Sequence, residues 1–302
     1  MTDSIFPKHL QIETVNGICT ARCDMCTIRQ WKRKPNCMRF EIFKKILSKY
    51  VHLKDHLEFL TLHGAGEPLL DSGLPDKIAT AKQMNFRGIR FASNCTLLTE
   101  KVAIAILNAG LDTIICSIDG LDKQTHESIR RGTDFDQVKE NVLRFIKIRN
   151  DSGTTKVIIR FIRQKINAVQ WEDFRSYWKS ELNDCFGDDV LTLDIHNWGG
   201  DLNDFEHKDM HYGKRIEKLI CSDVFDRMLI GSSGEVSLCC ADGDADYMGI
   251  GSNVLDSDPI EIFNNYVFRQ YREKMLAGDI LDLPRCNKCT SVRSRYIKQV
   301  QI

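Results

Sequence analysis

The sequence predicts an α/β fold in which a parallel sheet is followed by a small C-terminal unit. Strand-like runs alternate with helical patterns up to about residue 200, the alternation then stops, and the rest of the chain shows a hairpin pattern and a helix. Such alternation is typical of right-handed βαβ units. A chain of 302 residues suffices for one substantial core and a smaller appended unit. We divide it into residues 1–205 and 206–302.

Six runs rich in β-branched and apolar residues predict the strands of the sheet. They are 10–15, 57–62, 88–93, 111–118, 156–162 and 190–196. Amphipathic helical patterns lie between them, near 40–54, 75–85, 98–109, 134–149 and 168–182. Six units are too few for a closed eight-stranded barrel. Residues that carry chemistry are expected at the carboxyl ends of the strands.

The C-terminal unit follows a polar stretch over 201–215, which predicts a linker. A β-hairpin is predicted over 227–240, with Ser233–Gly234 in its turn. One helix is predicted over 259–277, ending at Gly278.

The composition favours a soluble protein with small partners. Lys plus Arg and Asp plus Glu number 42 each, so no net field attracts nucleic acid or an anionic membrane. No apolar run is long enough for a membrane span, and the N-terminus lacks a signal-peptide region, so we expect a cytoplasmic protein. Twelve cysteines in an unexported chain argue for metal ligation rather than disulfides.

Three cysteines, Cys19, Cys23 and Cys26, form a CxxxCxxC triplet directly after the first predicted strand. Three thiolates can bind three irons of a four-iron cluster, which leaves the fourth iron open for a chelating ligand. On the triplet alone, a zinc knuckle or a chance cluster is the alternative, although zinc prefers four N or S ligands in CxxC pairs.

The triplet resembles the signature of the radical S-adenosylmethionine (SAM) superfamily. The resemblance implies a partial (β/α)6 TIM-like barrel. It also implies that SAM binds the open iron through its amino and carboxylate groups. Electron transfer then cleaves SAM to a 5'-deoxyadenosyl radical.

The run HGAGEP, residues 63–68, follows the second predicted strand. Glycines permit close backbone approach to a ligand, and a carboxylate there can accept from a bound ammonium. The run resembles the GGE motif of the same family, with Ala65 where the family often has glycine. The resemblance implies that Gly64, Gly66 and Glu67 bind SAM through its amino group.

Short polar side chains also close the next two strands, with Asn94 after the third and Ser117 and Asp119 after the fourth. Such side chains can bond a ribose or a carboxylate, and helix capping or an Asx-turn is the alternative. In the resembling family these positions line the SAM pocket. Asp119 could equally orient the substrate.

A second set of cysteines comprises Cys221, Cys239, Cys286 and Cys289. Its spacing resembles the auxiliary-cluster module called SPASM, or twitch in its short form. Four thiolates could ligate one cluster fully, whereas a structural zinc would explain them about as well on chemistry alone. Only 13 residues follow Cys289, which argues against a second auxiliary cluster. The resemblance therefore implies two [4Fe–4S] clusters in total, with a twitch-type C-terminal domain.

Cys240 directly follows one of these cysteines. Alternation along a strand predicts that its side chain lies on the opposite face, where a thiol could return a hydrogen atom to a substrate radical. An inert buried cysteine is the alternative.

Other residues near the strand ends are weaker candidates for a substrate site. Arg130, Arg131 and Arg160 could meet an anionic substrate, but we expect each to be solvated or salt-bridged. The run 198–200, Trp-Gly-Gly, follows the sixth strand, where a substrate loop or a packing anchor would lie.

Together, the resemblances imply an enzyme that abstracts hydrogen from a small polar substrate of the sugar or aminocyclitol type. Oxidation (dehydrogenation) or epimerisation follows, and a flavodoxin- or ferredoxin-type protein supplies electrons. The alternative within the family is a maturase of a ribosomally made peptide, which is disfavoured because only 18 residues precede Cys19. A non-catalytic zinc-binding scaffold is the alternative from another class.

Overall fold

The computed structural model of the chain describes residues 4–202, 221–245 and 252–291. The predicted domain boundary and nearly all of the predicted linker over 201–215 lie outside these residues, so the domain division stays a prediction. No helix within the described ranges is long and apolar enough to cross a membrane.

The strands of the described residues form one large sheet and one small ribbon. They are β1 (His9–Ile12), β2 (Val15–Asn16), β3 (Asn36–Cys37), β4 (Phe59–Thr61), β5 (Ile89–Ser93), β6 (Thr113–Ser117), β7 (Lys156–Arg163), β8 (Asp189–Asp194), β9 (Arg227–Ile230) and β10 (Val236–Ser237). The eight-stranded sheet has the order β10-β9-β1-β4-β5-β6-β7-β8. All neighbours in it are parallel except β9 and β10. The six predicted strands are thus confirmed, and β2 pairs with β3 separately.

The helices connect these strands as the alternation predicts. They are α1 (Phe40–Tyr50), α2 (Leu74–Gln83), α3 (Glu100–Asn108), α4 (Lys123–Ile129), α5 (Phe135–Ser152), α6 (Trp171–Glu181), α7 (Asp223–Asp226), α8 (Pro259–Phe263) and α9 (Tyr266–Ala277). The short helix α4 was not predicted. Asp122 caps it by accepting a hydrogen bond from the Thr125 backbone N–H.

The prediction of one helix over 259–277 is wrong, because the chain breaks between α8 and α9. The Asn265 side chain accepts from the Phe268 backbone N–H and so starts a new helix. The predicted end is correct: Gly278 adopts φ 88°, a left-handed conformation that glycine tolerates.

The register of the parallel strands divides their side chains between two faces. One set belongs to a fully buried hydrophobic cluster that also contains Phe43 and Ile46 of α1. Its strand members include Leu10, Leu60, Ile89, Ile114 and Val157, which share one face of the sheet. Burial of each such side chain contributes about 1.5–3 kcal/mol. This apolar set forms the core.

The alternate register mixes polar and apolar side chains, and we call its side the inner face. It carries His9, Thr61, Arg90, Ser117 and Arg160, which follow one another across β1, β4, β5, β6 and β7. The polar side chains of this face fit the inside of a partial barrel, whereas the other face packs against the helices. The candidate functional residues at the strand ends belong to this polar side.

The predicted C-terminal hairpin is confirmed, since β9 and β10 pair antiparallel with Ile230 opposite Val236. Gly234 in its turn adopts φ 90°. The sequence did not predict that β9 also pairs in parallel with β1, with His9 opposite Arg227. The hairpin therefore extends the barrel sheet.

Candidate functional site

The first cysteine set lies in the loop between β2 and a short helix that begins at Ile28. Cys23 and Cys26 both act electrostatically on Cys19, so the three thiols lie near one another. The pKa of Cys19 is raised to about 11, chiefly by burial and further by the charges of Glu67, Cys23 and Cys26. Burial also raises the pKa of Cys23 and of Cys26. These thiols would therefore be protonated without metal, and cluster binding must displace the protons.

Nitrogen donors point at two of these sulfur atoms. The Asn94 Nδ2 atom lies 3.6 Å from Cys19 Sγ and 2.9 Å from Thr20 Oγ1. The Arg130 Nη1 atom lies 3.7 Å from Cys23 Sγ. Donors of this kind stabilise thiolate charge and influence the potential of an iron–sulfur cluster. The surroundings of the triplet thus fit thiolate ligands.

Glu67 lies in the turn that follows β4, with 3% of its surface exposed. Its carboxylate accepts from Ser93 Oγ at 2.7 Å, from the Asn94 backbone N–H at 2.9 Å and from the Leu69 backbone N–H at 3.1 Å. Burial raises its pKa although these hydrogen bonds oppose the shift. A carboxylate has about four acceptor positions, so roughly one remains for a ligand ammonium.

The glycines of the same turn are required by packing. A Cβ atom at Gly66 would collide with the Val15 backbone oxygen, and one at Gly64 would meet the Glu13 side chain 2.5 Å away. These close approaches explain both glycines without a ligand. They also fix the turn beside the first cysteine loop, since the Glu67 backbone N–H donates to the Ile18 oxygen at 2.9 Å.

Asp119 is fully buried and already bound by the protein. One oxygen lies 2.7 Å from Arg130 Nε, and the other accepts from the Ile162 backbone N–H at 2.6 Å. Its carboxylate therefore acts on the first cysteine set through Arg130. Ser117 lies on the adjacent part of the inner face, where its Oγ accepts from Arg160 Nη2 at 2.7 Å.

Arg130 is the main residue of this region that the sequence did not assign to the site. The expectation of a salt bridge is correct, yet the same guanidinium also contacts Cys23. Nothing in its local sequence indicates this contact, because Cys23 is remote in the chain. Arg131, by contrast, is exposed and pairs with Asp24 at 2.9 Å.

The second cysteine set forms one pocket. Its lining includes all four predicted residues, Cys221, Cys239, Cys286 and Cys289. Burial raises the pKa of Cys239 well above its usual value, and Cys240 adds to the shift. The Cys289 backbone N–H donates to the Cys286 oxygen at 3.2 Å, which holds this CxxC pair in a turn.

Cys240 lines the same pocket, so the expectation that its side chain lies on the opposite face is wrong. The physical reason is that β10 ends at Ser237. Cys239 and Cys240 follow in a bend and a turn, where strand alternation no longer applies. Five thiols thus meet at this pocket, and hydrogen-atom donation by Cys240 stays a prediction.

Neither cysteine set has the compact arrangement of a single-ion site. Within the described ranges, no group of three or more His, Cys, Asp or Glu is placed to hold one metal ion. A four-iron cluster takes each thiolate on a different iron, so its ligands lie further apart than those around one ion. The donor chemistry of both sets suits such clusters.

A short helix at Trp198–Gly200 links the two cysteine sets. The Trp198 indole N–H donates to the Met25 oxygen at 2.7 Å, within the first cysteine loop. The Trp198 oxygen accepts from Arg285 Nη1 at 3.2 Å, next to Cys286. Trp198 has φ 51°, an uncommon conformation for a bulky residue that surrounding contacts must hold.

Family comparisons agree with this geometry. The model of the radical SAM superfamily matches residues 14–164, and that of an iron–sulfur cluster-binding domain, SPASM, matches residues 221–290. The chain belongs to the radical SAM superfamily and carries a C-terminal SPASM domain. Its cofactors are SAM, a [4Fe–4S] cluster and auxiliary iron–sulfur clusters.

One curated relative is similar to this chain over about half of its length. The tungsten-containing aldehyde ferredoxin oxidoreductase cofactor-modifying protein of Pyrococcus furiosus is 27% identical over 176 residues, which are 56% of this chain and 48% of that protein. The chain thus spans about half the length of this curated relative.

Solved structures share the fold at low identity. BtrN in complex with AdoMet and 2-DOIA superposes with a TM-score of 0.63 at 17% identity, covering 95% of this chain and 94% of that one. Streptococcus suis SuiB bound to precursor peptide SuiA gives a TM-score of 0.60 at 14% identity, covering 88% and 67%.

Proposed function

We propose that the chain is a radical SAM oxidoreductase that dehydrogenates a small polar substrate of the sugar or aminocyclitol type. The pocket of the second cysteine set carries this proposal. A cluster ligated by four thiolates has no open iron for a substrate. When bound, such a cluster would accept the unpaired electron of the substrate radical while the second hydrogen leaves the substrate as a proton.

Cys19, Cys23 and Cys26 are the proposed ligands of the catalytic cluster. When bound and reduced, that cluster supplies the electron that cleaves SAM to the 5'-deoxyadenosyl radical. Arg130 contributes positive charge beside Cys23. A flavodoxin- or ferredoxin-type protein is the proposed electron donor.

The residues at the strand ends position SAM in this proposal. Glu67 uses its remaining acceptor position for the SAM ammonium, while Gly64 and Gly66 shape the turn that presents it. Asn94 and Ser117 offer hydrogen bonds to the ribose or the carboxylate. Asp119 contributes by orienting Arg130.

Cys221, Cys239, Cys286 and Cys289 are the proposed ligands of the auxiliary cluster. Cys240 lines the same pocket and is not among these proposed ligands. In an epimerisation it would instead return hydrogen to the substrate. We favour oxidation because a cluster pocket directly beside Cys240 provides a route for the electron.

Peptide maturation is the second candidate. The likeness to SuiB bound to a precursor peptide supports it, but that likeness covers only 67% of SuiB. The likeness to BtrN with 2-DOIA runs nearly end to end and supports a small substrate.

The proposal is tested by anaerobic incubation of reconstituted protein with SAM, a reductant and a panel of sugars, aminocyclitols and peptides. We expect 5'-deoxyadenosine to form with a small polar substrate and the product to lack two hydrogens. The variant with Cys19, Cys23 and Cys26 replaced by Ala is the control and should form none. Turnover with peptides alone, or solvent deuterium at the reacting carbon, would contradict dehydrogenation of a small molecule.

A further inference from the structure

Arg160 presents unused hydrogen-bond donors on the inner face. It lies in β7 opposite Ser117, and its Nη2 atom donates to Ser117 Oγ at 2.7 Å. A guanidinium has five N–H donors, and among the residues that the structure describes the buried Nε atom of Arg160 has no hydrogen-bond partner. Leaving a buried charged donor unsatisfied is costly unless a ligand completes it.

The surrounding charge on this face is also positive. Arg90 in β5 donates to Thr61 Oγ1 at 3.1 Å and lies over the Phe59 ring at 3.7 Å. Among the residues that the structure describes, neither Arg90 nor Arg160 forms an ion pair. Arg227 in β9 lies 3.5 Å from Asp223 and donates to Gln11 Oε1 at 3.2 Å.

The proximity of these cations shows in their pKa values. Burial, and then the charge of Arg130, lowers the pKa of Arg160 to about 10. Burial, and then the charge of Arg227, lowers the pKa of Arg90 to about 10. Arg160 and Arg90 therefore remain cationic near neutral pH, so both contribute positive charge to this face.

Two carboxylates near these strands already pair with other arginines. Asp119 pairs with Arg130, and Glu13 pairs with Arg33 at 2.7 Å. His63 adds an uncharged hydrogen-bond donor to this face. Its Nδ1 atom accepts from the Ala92 backbone N–H at 3.1 Å. A neutral His63 ring therefore carries its proton on Nε2, which can donate. Burial and then Arg160 lower its pKa well below the usual value, which keeps the ring neutral.

We propose that the substrate carries an anionic group, a phosphate or a carboxylate, and that Arg160 binds this group on the inner face. The inference rests on the proposed function, because it names the chemical class of that substrate. An oxyanion would accept from the unused Arg160 donors and would balance the charge that Arg90 and Arg227 add. Arg160 also lies level with Ser117, near the strand ends where the reaction is placed.

The test uses the anaerobically reconstituted enzyme saturated with SAM. Inorganic phosphate and acetate are titrated separately by calorimetry, with wild type, Arg160→Gln and Arg160→Lys. We expect one of the two anions to bind wild type, and Arg160→Gln to bind it about ten- to a hundredfold more weakly, as expected for a charge-assisted hydrogen bond. Arg160→Lys keeps the charge without the paired donors, so its anion affinity should lie between those of wild type and Arg160→Gln.

Arg144→Gln is the matched control, since Arg144 lies on α5 and pairs with Glu140 at 2.8 Å. It should bind the anion as wild type does. Equal anion affinity in wild type and Arg160→Gln, or no anion binding at all, would overturn the proposal. Loss of SAM affinity in Arg160→Gln would overturn it too, because the SAM carboxylate would then be the partner of Arg160.

The titration does not depend on turnover, so the two proposals fail separately. Absence of 5'-deoxyadenosine with every substrate would contradict the proposed function while leaving the anion result to be judged alone. Iron content and circular dichroism of each variant establish that it has folded and carries its clusters.

Discussion

Replacing Asp119 by Asn tests how the buried Asp119–Arg130 pair controls the first cysteine set. The Asp119 side chain is 0% exposed and that of Arg130 is 7% exposed. The asparagine oxygen can still accept from the Ile162 backbone N–H, so the main loss is the negative charge. Removing one partner of a buried ion pair costs about 3–5 kcal/mol, because the other charge stays buried. At roughly 2 °C per kcal/mol, we expect the Tm to fall by about 6–10 °C.

The same variant should change the catalytic cluster. Without Asp119, the Arg130 charge acts on Cys23 uncompensated and favours the more negative, reduced cluster. We therefore expect the reduction potential, measured by titration with electron paramagnetic resonance, to become more positive.

Asp188→Asn is the matched control, because Asp188 and Arg149 form a second buried pair with both side chains 0% exposed. Their two contacts measure 2.8 and 2.6 Å. This variant should lose comparable stability and leave the potential unchanged. A shift of equal size in both variants, or none in Asp119→Asn, would refute the argued role of the pair.

Three further predictions follow from the cysteine sets and from a buried histidine. Wild type should bind about eight irons and the variant with Cys19, Cys23 and Cys26 changed to Ala about four; near-zero iron with stoichiometric zinc would contradict two clusters. Burial lowers the pKa of His126 to about 3, so the unfolded chain binds more protons between pH 6.5 and 3. Unfolding free energy should therefore fall on acidification by at most about 1.4 kcal/mol per pH unit, and urea unfolding of His126→Gln should show a shallower dependence. Cys240→Ala should retain most dehydrogenation; loss of product with intact SAM cleavage would indicate a hydrogen donor.

The sequence predicted the parts of the fold that are determined locally. The six strands followed from runs of β-branched residues, and the hairpin followed from Gly234 between two such runs. The break before α9 was missed, although the Asn264–Asn265 pair was its signal, because an asparagine side chain can cap a new helix. Pairing of β9 with β1 had no local signal at all.

The candidate site was predictable where the spacing of cysteines in the sequence indicates a metal cluster. The spacing of Cys19, Cys23 and Cys26 and that of Cys286 and Cys289 each close a short loop, whereas Cys221 and Cys239 reach the second pocket through tertiary structure. Arg130 could not be found this way, since its contact with Cys23 depends on tertiary structure. The orientation of Cys240 was mispredicted because strand alternation was extended past the end of β10.

The pairing of β9 with β1 also has a consequence for the order of folding. During synthesis, β1 is made early and has β4 on one side, but its other edge stays unpaired until residues 227–230 have been made. Contacts between such distant segments form slowly because a long chain loop must close first. An unpaired strand edge can meanwhile pair with another chain. Completing the sheet and assembling the second cysteine pocket are therefore late and linked events, and a nascent chain is most prone to aggregation just before them.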